Sequence, residues 1–110
     1  MDTSTDTSEK VLAVTSREQL IDHIESSRVV LIEFAAEWCG PCDDLEPILA
    51  TVARESDALV LQVDIEESPA ATRTFGVDSV PTLFLCVEGE PVEKLTGVVE
   101  QSTLLELIEQ

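Results

Sequence analysis

Apolar positions along the chain follow two rhythms. Residues 11–14 and 29–34 are short, nearly continuous apolar runs, the second broken by one acid, Glu33. Runs of this length and β-branched content predict strands buried on both faces. Residues 59–63 repeat the pattern, and residues 81–87 do so behind a leading proline, a position that a strand tolerates. Between these runs the period changes to that of a helix. Thr15-x-x-Glu18 or Ser16-x-x-Gln19 supplies a capping box for a helix burying Leu20, Ile21 and Ile24 and ending near Ser27. Leu45, Ile48, Leu49, Val52 and Ala53 mark a long helix over 39–55, with a kink expected at Pro47.

The remaining elements are shorter. Ser68-Pro69 is a cap and first-turn pair for a helix reaching about Phe75. Residues 88–91 form a turn, 92–95 a hairpin partner and Gly97 a break. Ser102 then opens a final helix burying Leu104, Leu105 and Ile108. The order βαβαβαββα predicts an α/β fold, a central mixed sheet with an antiparallel edge hairpin and helices on both faces.

A chain of 110 residues with 44% hydrophobic content supports one core, so residues 10–110 are expected to be a single domain. Residues 1–9 lack periodicity and read as a disordered acidic and polar lead-in. Charge changes the picture more. Twenty-three acids against six bases give −17, which argues against nucleic acid and anionic membrane surfaces, because no basic patch exists to release counterions. Most of the acid lies within the predicted domain. At about 1 M salt the Debye length falls to roughly 3 Å and such charges cease to repel, so a salt-loving host is expected. The polar first ten residues have no basic region and no apolar stretch, and no run is long enough to span a bilayer. A soluble, cytoplasmic monomer is the expectation.

Three cysteines are too few for a disulfide scaffold and point to chemistry. Trp38-Cys39-Gly40-Pro41-Cys42 falls where a strand ends and the long helix begins. Free N–H groups and the positive end of the helix dipole favour a thiolate at Cys39, making it the nucleophile towards a disulfide. Cys42, one helical turn further in, is placed to attack the mixed disulfide and release reduced product. Gly40 permits the tight turn, and Pro41 fixes φ at a first-turn position where its missing N–H is harmless.

The run AEWCGPC, a following helix containing PIL, then Val80-Pro81-Thr82 and a glycine-bearing hairpin together resemble the thioredoxin family over roughly residues 10–110. The resemblance implies the thioredoxin fold and a protein-disulfide reductase working without a bound cofactor. It implies a cis peptide at Val80–Pro81 beside the cysteines. It implies a substrate-binding surface drawn from Trp38, Gly40, Pro41, Val80, Pro81 and Gly97. Thioredoxin reductase and disulfide-containing client proteins are the implied partners. Glu33 stands where the family carries a buried aspartate that moves protons at the resolving cysteine, and its carboxylate is expected to accept the Cys42 proton. The sequence also departs from the pattern. Asp43 replaces a lysine after the second cysteine, Gln62 stands at a basic position on the third strand, and Ala35 replaces an aromatic, leaving Trp38 and Phe34 to wall the site.

Other residues read as structural. Cys86, mid-strand, is expected to be an inert core thiol, and His23 has no cysteine at ligand spacing, so no metal site is expected. Three readings compete with disulfide reduction. A disulfide oxidase or isomerase is disfavoured by the Gly-Pro spacer, a redox-indifferent binding or holdase module by the retention of both cysteines. Zinc at the CxxC lacks two further ligands.

Overall fold

The computed structural model describes residues 10–110; the predicted lead-in at 1–9 lies outside them. Five strands and four helices alternate: β1 (Val11–Val14), α1 (Arg17–Ser26), β2 (Val29–Ala35), α2 (Gly40–Glu55), β3 (Leu59–Asp64), α3 (Pro69–Thr74), β4 (Thr82–Val87), β5 (Glu90–Thr96) and α4 (Gln101–Glu109). The sheet order is β1-β3-β2-β4-β5. β1, β3 and β2 run parallel, β4 runs antiparallel to β2, and β5 closes a hairpin with β4. The predicted mixed sheet with an antiparallel edge is therefore present.

β2 occupies the centre, and all seven of its residues are buried. Strand side chains alternate faces, so this strand feeds two cores. Val30, Ile32 and Phe34 join Leu20, Ile24, Leu61, Val63, Phe84 and Cys86 beneath α1 and α3. Val29 and Leu31 join Leu45, Leu49, Val52, Val60, Leu83 and Leu104 beneath α2 and α4. Glu33, with Leu31's parity, points to the second face.

Local chemistry sets the element ends. Ser16 caps α1, its hydroxyl accepting from the Gln19 N–H at 3.1 Å, while Gln19 Oε1 accepts from the Thr15 N–H at 2.9 Å. Gln19 thus reaches one residue further back than a standard capping box. α2 continues unbroken through Pro47. Several expected boundaries shift. The hairpin turn is only Glu88-Gly89, both at positive φ (51° and 88°), the backbone of a two-residue primed turn. β5 therefore starts at Glu90 and holds Pro91. A bulge accommodates the proline: Leu85 pairs with Glu93 and Cys86 with Pro91, leaving Val92 unpaired and exposed. The final helix is capped by Glu100, with Ser102 inside its first turn, and only Leu104 of the three predicted residues is fully buried. Ser68 precedes α3 as expected, but its hydroxyl makes no capping bond.

Candidate functional site

The end of β2 and the start of α2 converge on one pair of sulfurs. Cys39 and Cys42 form a disulfide with Cα atoms 5.3 Å apart. Cys39 is the N-cap residue of α2, with extended backbone, and its Sγ accepts a hydrogen bond from the Cys42 N–H at 3.1 Å. Helix entry is set by the sequence itself. A cap needs an acceptor side chain on extended backbone, and sulfur fills that role, while Pro41 occupies the first turn without forfeiting a bond. The Cys39 N–H donates to the Ala36 carbonyl at 3.2 Å, closing the turn that brings the chain from strand to helix. The Cys39 sulfur thus sits against a free N–H and the positive helix end, conditions that favour a thiolate once the disulfide opens.

Around the pair the predicted residues separate into groups. Ala35, Ala36 and the two cysteines form a small buried cluster against which Ile65 and Val80 pack. The Val80–Pro81 peptide is cis. Thr82 Oγ1 donates to the Ser79 carbonyl at 2.7 Å, and the Gly97 N–H donates to the Pro81 carbonyl at 3.0 Å, so Gly97, at φ 80°, lies beside the same turn. Gly40 and Pro41 are exposed on the helix end. Trp38 is 66% exposed, and its Nε1 donates to Glu66 Oε2 at 3.2 Å. Glu66 is held in turn by its N–H donating to Asp64 Oδ1 at 2.8 Å. Phe34 does not wall the site. Its ring lies on the opposite face, 5.5 Å from Phe75 and 5.9 Å from Phe84, because strand parity turns it away from α2.

Glu33 lies on the α2 side and is fully buried, so it does not reach solvent at the sheet end. Gln62 is its register partner on β3, and Gln62 Nε2 donates to Glu33 Oε1 at 2.8 Å. Oε2 has no hydrogen-bond partner among the described residues. Burial pushes the carboxyl above its ordinary range, the Gln62 hydrogen bond pulls it partly back, and the charge of Glu46 pushes it up again. A cavity of about 330 Å³ opens alongside, lined by Ala35, Cys42, Asp43, Glu46, Gln62 and Asp64 among others.

Gln62 and Glu66 escaped assignment from sequence. For Gln62 a signal existed: a polar residue inside an apolar strand is a candidate partner for a buried acid on another strand. Glu66 carried none, being one of many exposed acids. Cys86 is a buried free thiol whose pKa burial raises, as suits an inert core residue. Among the described residues no group of three or more histidine, cysteine or acidic side chains is arranged to hold a metal, and no helix is long and apolar enough to cross a membrane.

Known proteins share this arrangement. The thioredoxin family model matches residues 10–110. A thioredoxin of Chlamydia trachomatis is 41% identical over 99 residues, covering 89% of this chain and 96% of the relative. One from Staphylococcus saprophyticus is 41% identical over 91 residues, covering 81% and 86%. Among solved structures, a mutant thioredoxin from Halobacterium salinarum NRC-1 superposes with a TM-score of 0.90 at 40% identity, covering 96% of this chain and 94% of that one. A Plasmodium falciparum thioredoxin superposes at 0.80 with 31% identity, covering 90% and 97%.

Proposed function

This chain belongs to the thioredoxin family and is a protein-disulfide oxidoreductase, and from that premise we propose a role for each residue of the site. The Cys39 thiolate attacks a client disulfide. One client sulfur leaves with the electron pair and takes a proton, and a Cys39–client bond forms. Cys42 Sγ, its proton passed to Glu33, attacks Cys39 Sγ. The mixed disulfide breaks, the second client thiol departs, and the two electrons gained by the client have come from the Cys39–Cys42 pair. The observation that carries this reading is the placement of Cys39 as the sulfur cap of α2, which distinguishes the nucleophile from the sulfur inside the helix.

Trp38, Gly40, Pro41, Val80, Pro81 and Gly97 present the client-docking surface. The exposed indole supplies apolar area, and Val80, packed against the cysteine cluster, brings the Pro81–Gly97 turn to the same end of the sheet. A thioredoxin reductase returns electrons to the pair, and disulfide-bearing proteins consume them. No resident cofactor enters the cycle. The protein works as a monomer in the cytoplasm, the compartment that keeps such dithiols supplied with electrons. Its charge of −17 suits a salt-rich interior; the likeness to the Halobacterium salinarum protein supports that reading.

Equilibration of the Cys39–Cys42 pair against dithiothreitol redox buffers at low and molar KCl, read by alkylation and mass, tests the assignment. A reductase keeps its disulfide closed until the buffer is strongly reducing. A pair that opens in mildly reducing buffer, as an oxidase or isomerase would, overturns it. Thermal melts across the same salt range check the salt adaptation, which a flat response would refute.

A further inference from the structure

The end of the molecule that carries the disulfide is charged with one sign. Four segments meet there: the Ile65 N–H donates to the Ala35 carbonyl at 2.9 Å, Ile65 and Val80 pack on the cysteine cluster, and the Gly97 N–H reaches the Pro81 carbonyl. Residues 35–44, 64–68, 76–81 and 96–101 contain no lysine, arginine or histidine. They present Glu37 beside Trp38, Asp43 and Asp44 beside Cys42, Glu66 bonded to the Trp38 indole, Glu67, and Asp78 two residues before Val80, all of them exposed. The six bases lie elsewhere. Lys10, Arg28 and Arg54 stand where β1 and β2 begin and α2 ends, Arg17 donates to Thr74 on α3, Arg73 is in the last turn of that helix, and Lys94 lies over the Phe84 ring.

We propose that the clients of this site are proteins whose reducible disulfide is flanked by lysine or arginine, the acids around the docking surface meeting cations that this chain does not itself supply. This inference rests on the reading of the protein as a disulfide reductase and names its substrate class. The chemistry gives the match its direction. As a thiolate attacks a disulfide, one negative charge spreads over three sulfurs. This chain offers that charge the Cys42 N–H and the positive end of α2, and surrounds it with acids. A client with lysine or arginine beside its disulfide is attracted by those acids before the attack and stabilises the sulfurs during it. A client with acids there is repelled at both stages. At about 1 M salt, where the Debye length is roughly 3 Å, long-range steering is lost and the charges that count are those in contact.

The test uses two disulfide-cyclised peptides with the same loop, one flanked by arginine and lysine, the other by glutamate and aspartate. Each is mixed with the reduced protein in a single turnover. The reaction oxidises Cys39 and Cys42 to their disulfide and reduces the peptide cystine to two thiols, and it is read by acid quench, alkylation and mass. The basic peptide is expected to react about tenfold faster at the lowest KCl concentration that keeps the protein folded, the ratio narrowing towards 2 M KCl. A variant carrying Glu37→Gln, Asp43→Asn and Asp78→Asn loses most of that ratio. A variant carrying Glu25→Gln, Glu55→Gln and Asp57→Asn, which removes the same charge from exposed positions where β2 and β3 begin, keeps it. Equal rates for the two peptides overturn the proposal, as does an equal loss in both variants, which net charge alone would cause. Reduction of neither peptide overturns the reductase reading together with the proposal, whereas reduction of both at one rate leaves that reading standing.

Discussion

Glu33 and Phe34 are neighbours in β2, equally and completely buried, yet they face opposite cores. Phe34 packs edge and tilt against Phe84 and Phe75, which lie 4.9 Å from each other, and Cys86 belongs to the same apolar cluster. Glu33 looks towards α2 with one oxygen bonded and the other unpartnered. The two sides are equally dry and differ in what dryness does. On the phenylalanine side it adds dispersion and hydrophobic stabilisation. On the glutamate side it lifts a proton affinity and costs stability whenever the proton is lost. Adjacent positions of one strand thus carry a ring that stabilises one core and a carboxyl that burial holds at raised proton affinity in the other.

Phe34→Ala gives the largest effect and probes the division directly. Loss of a fully buried ring costs about 3–5 kcal/mol in denaturant unfolding, while the dithiothreitol equilibrium of the folded fraction stays at the parent value. A changed redox equilibrium would mean the faces are coupled. Glu33→Gln comes next and has the opposite sign. Below about pH 4.5, the ordinary glutamate value, folded and unfolded chains both carry the proton, and the carboxyl adds no penalty. As pH rises through the raised folded value the parent loses stability that the variant keeps, so in denaturant unfolding the variant is the more stable of the two at high pH and its advantage disappears in acid. Parallel stability curves across pH would contradict the buried carboxyl.

Cys86→Ser places a polar group in the opposite core. It costs about 1 kcal/mol, independent of pH between 5 and 8, and leaves the Cys39–Cys42 equilibrium untouched; a shift in that equilibrium would break the comparison from the other side. Glu66→Ala is the smallest, about 0.5 kcal/mol or less because the bond is exposed. Its readout is the emission of Trp38, the single tryptophan of the chain, which gains rotational freedom and a lower anisotropy. Unchanged anisotropy would show that Glu66 does not hold the indole.

The architecture and the reactive pair were readable from residues alone, because long apolar periods and a WCGPC run at a strand-to-helix junction leave few alternatives. Contacts that depend on register were not. Phe34 and Glu33 differ by one position, and only the pairing of β2 with its neighbours decides which of them faces α2. The partnership of Glu33 with Gln62 likewise spans 29 residues. Where turn chemistry was ambiguous the boundaries moved: Pro91 reads as a turn residue but sits within β5 at a bulge, an arrangement that pattern alone does not distinguish from a four-residue loop.

That bulge bears on how the protein stays dispersed. Among the described residues β5 is an edge strand of the sheet, the kind of surface on which strands of other molecules add and aggregates begin. Glu90, Glu93 and Lys94 guard it by charge, and charge is the guard that concentrated salt removes. Pro91 and the unpaired Val92 do not depend on ionic strength. A proline has no N–H to offer an incoming chain, and the bulge bends the edge out of register with any straight partner. At high ionic strength, resistance to edge-to-edge pairing at β5 therefore rests on backbone geometry.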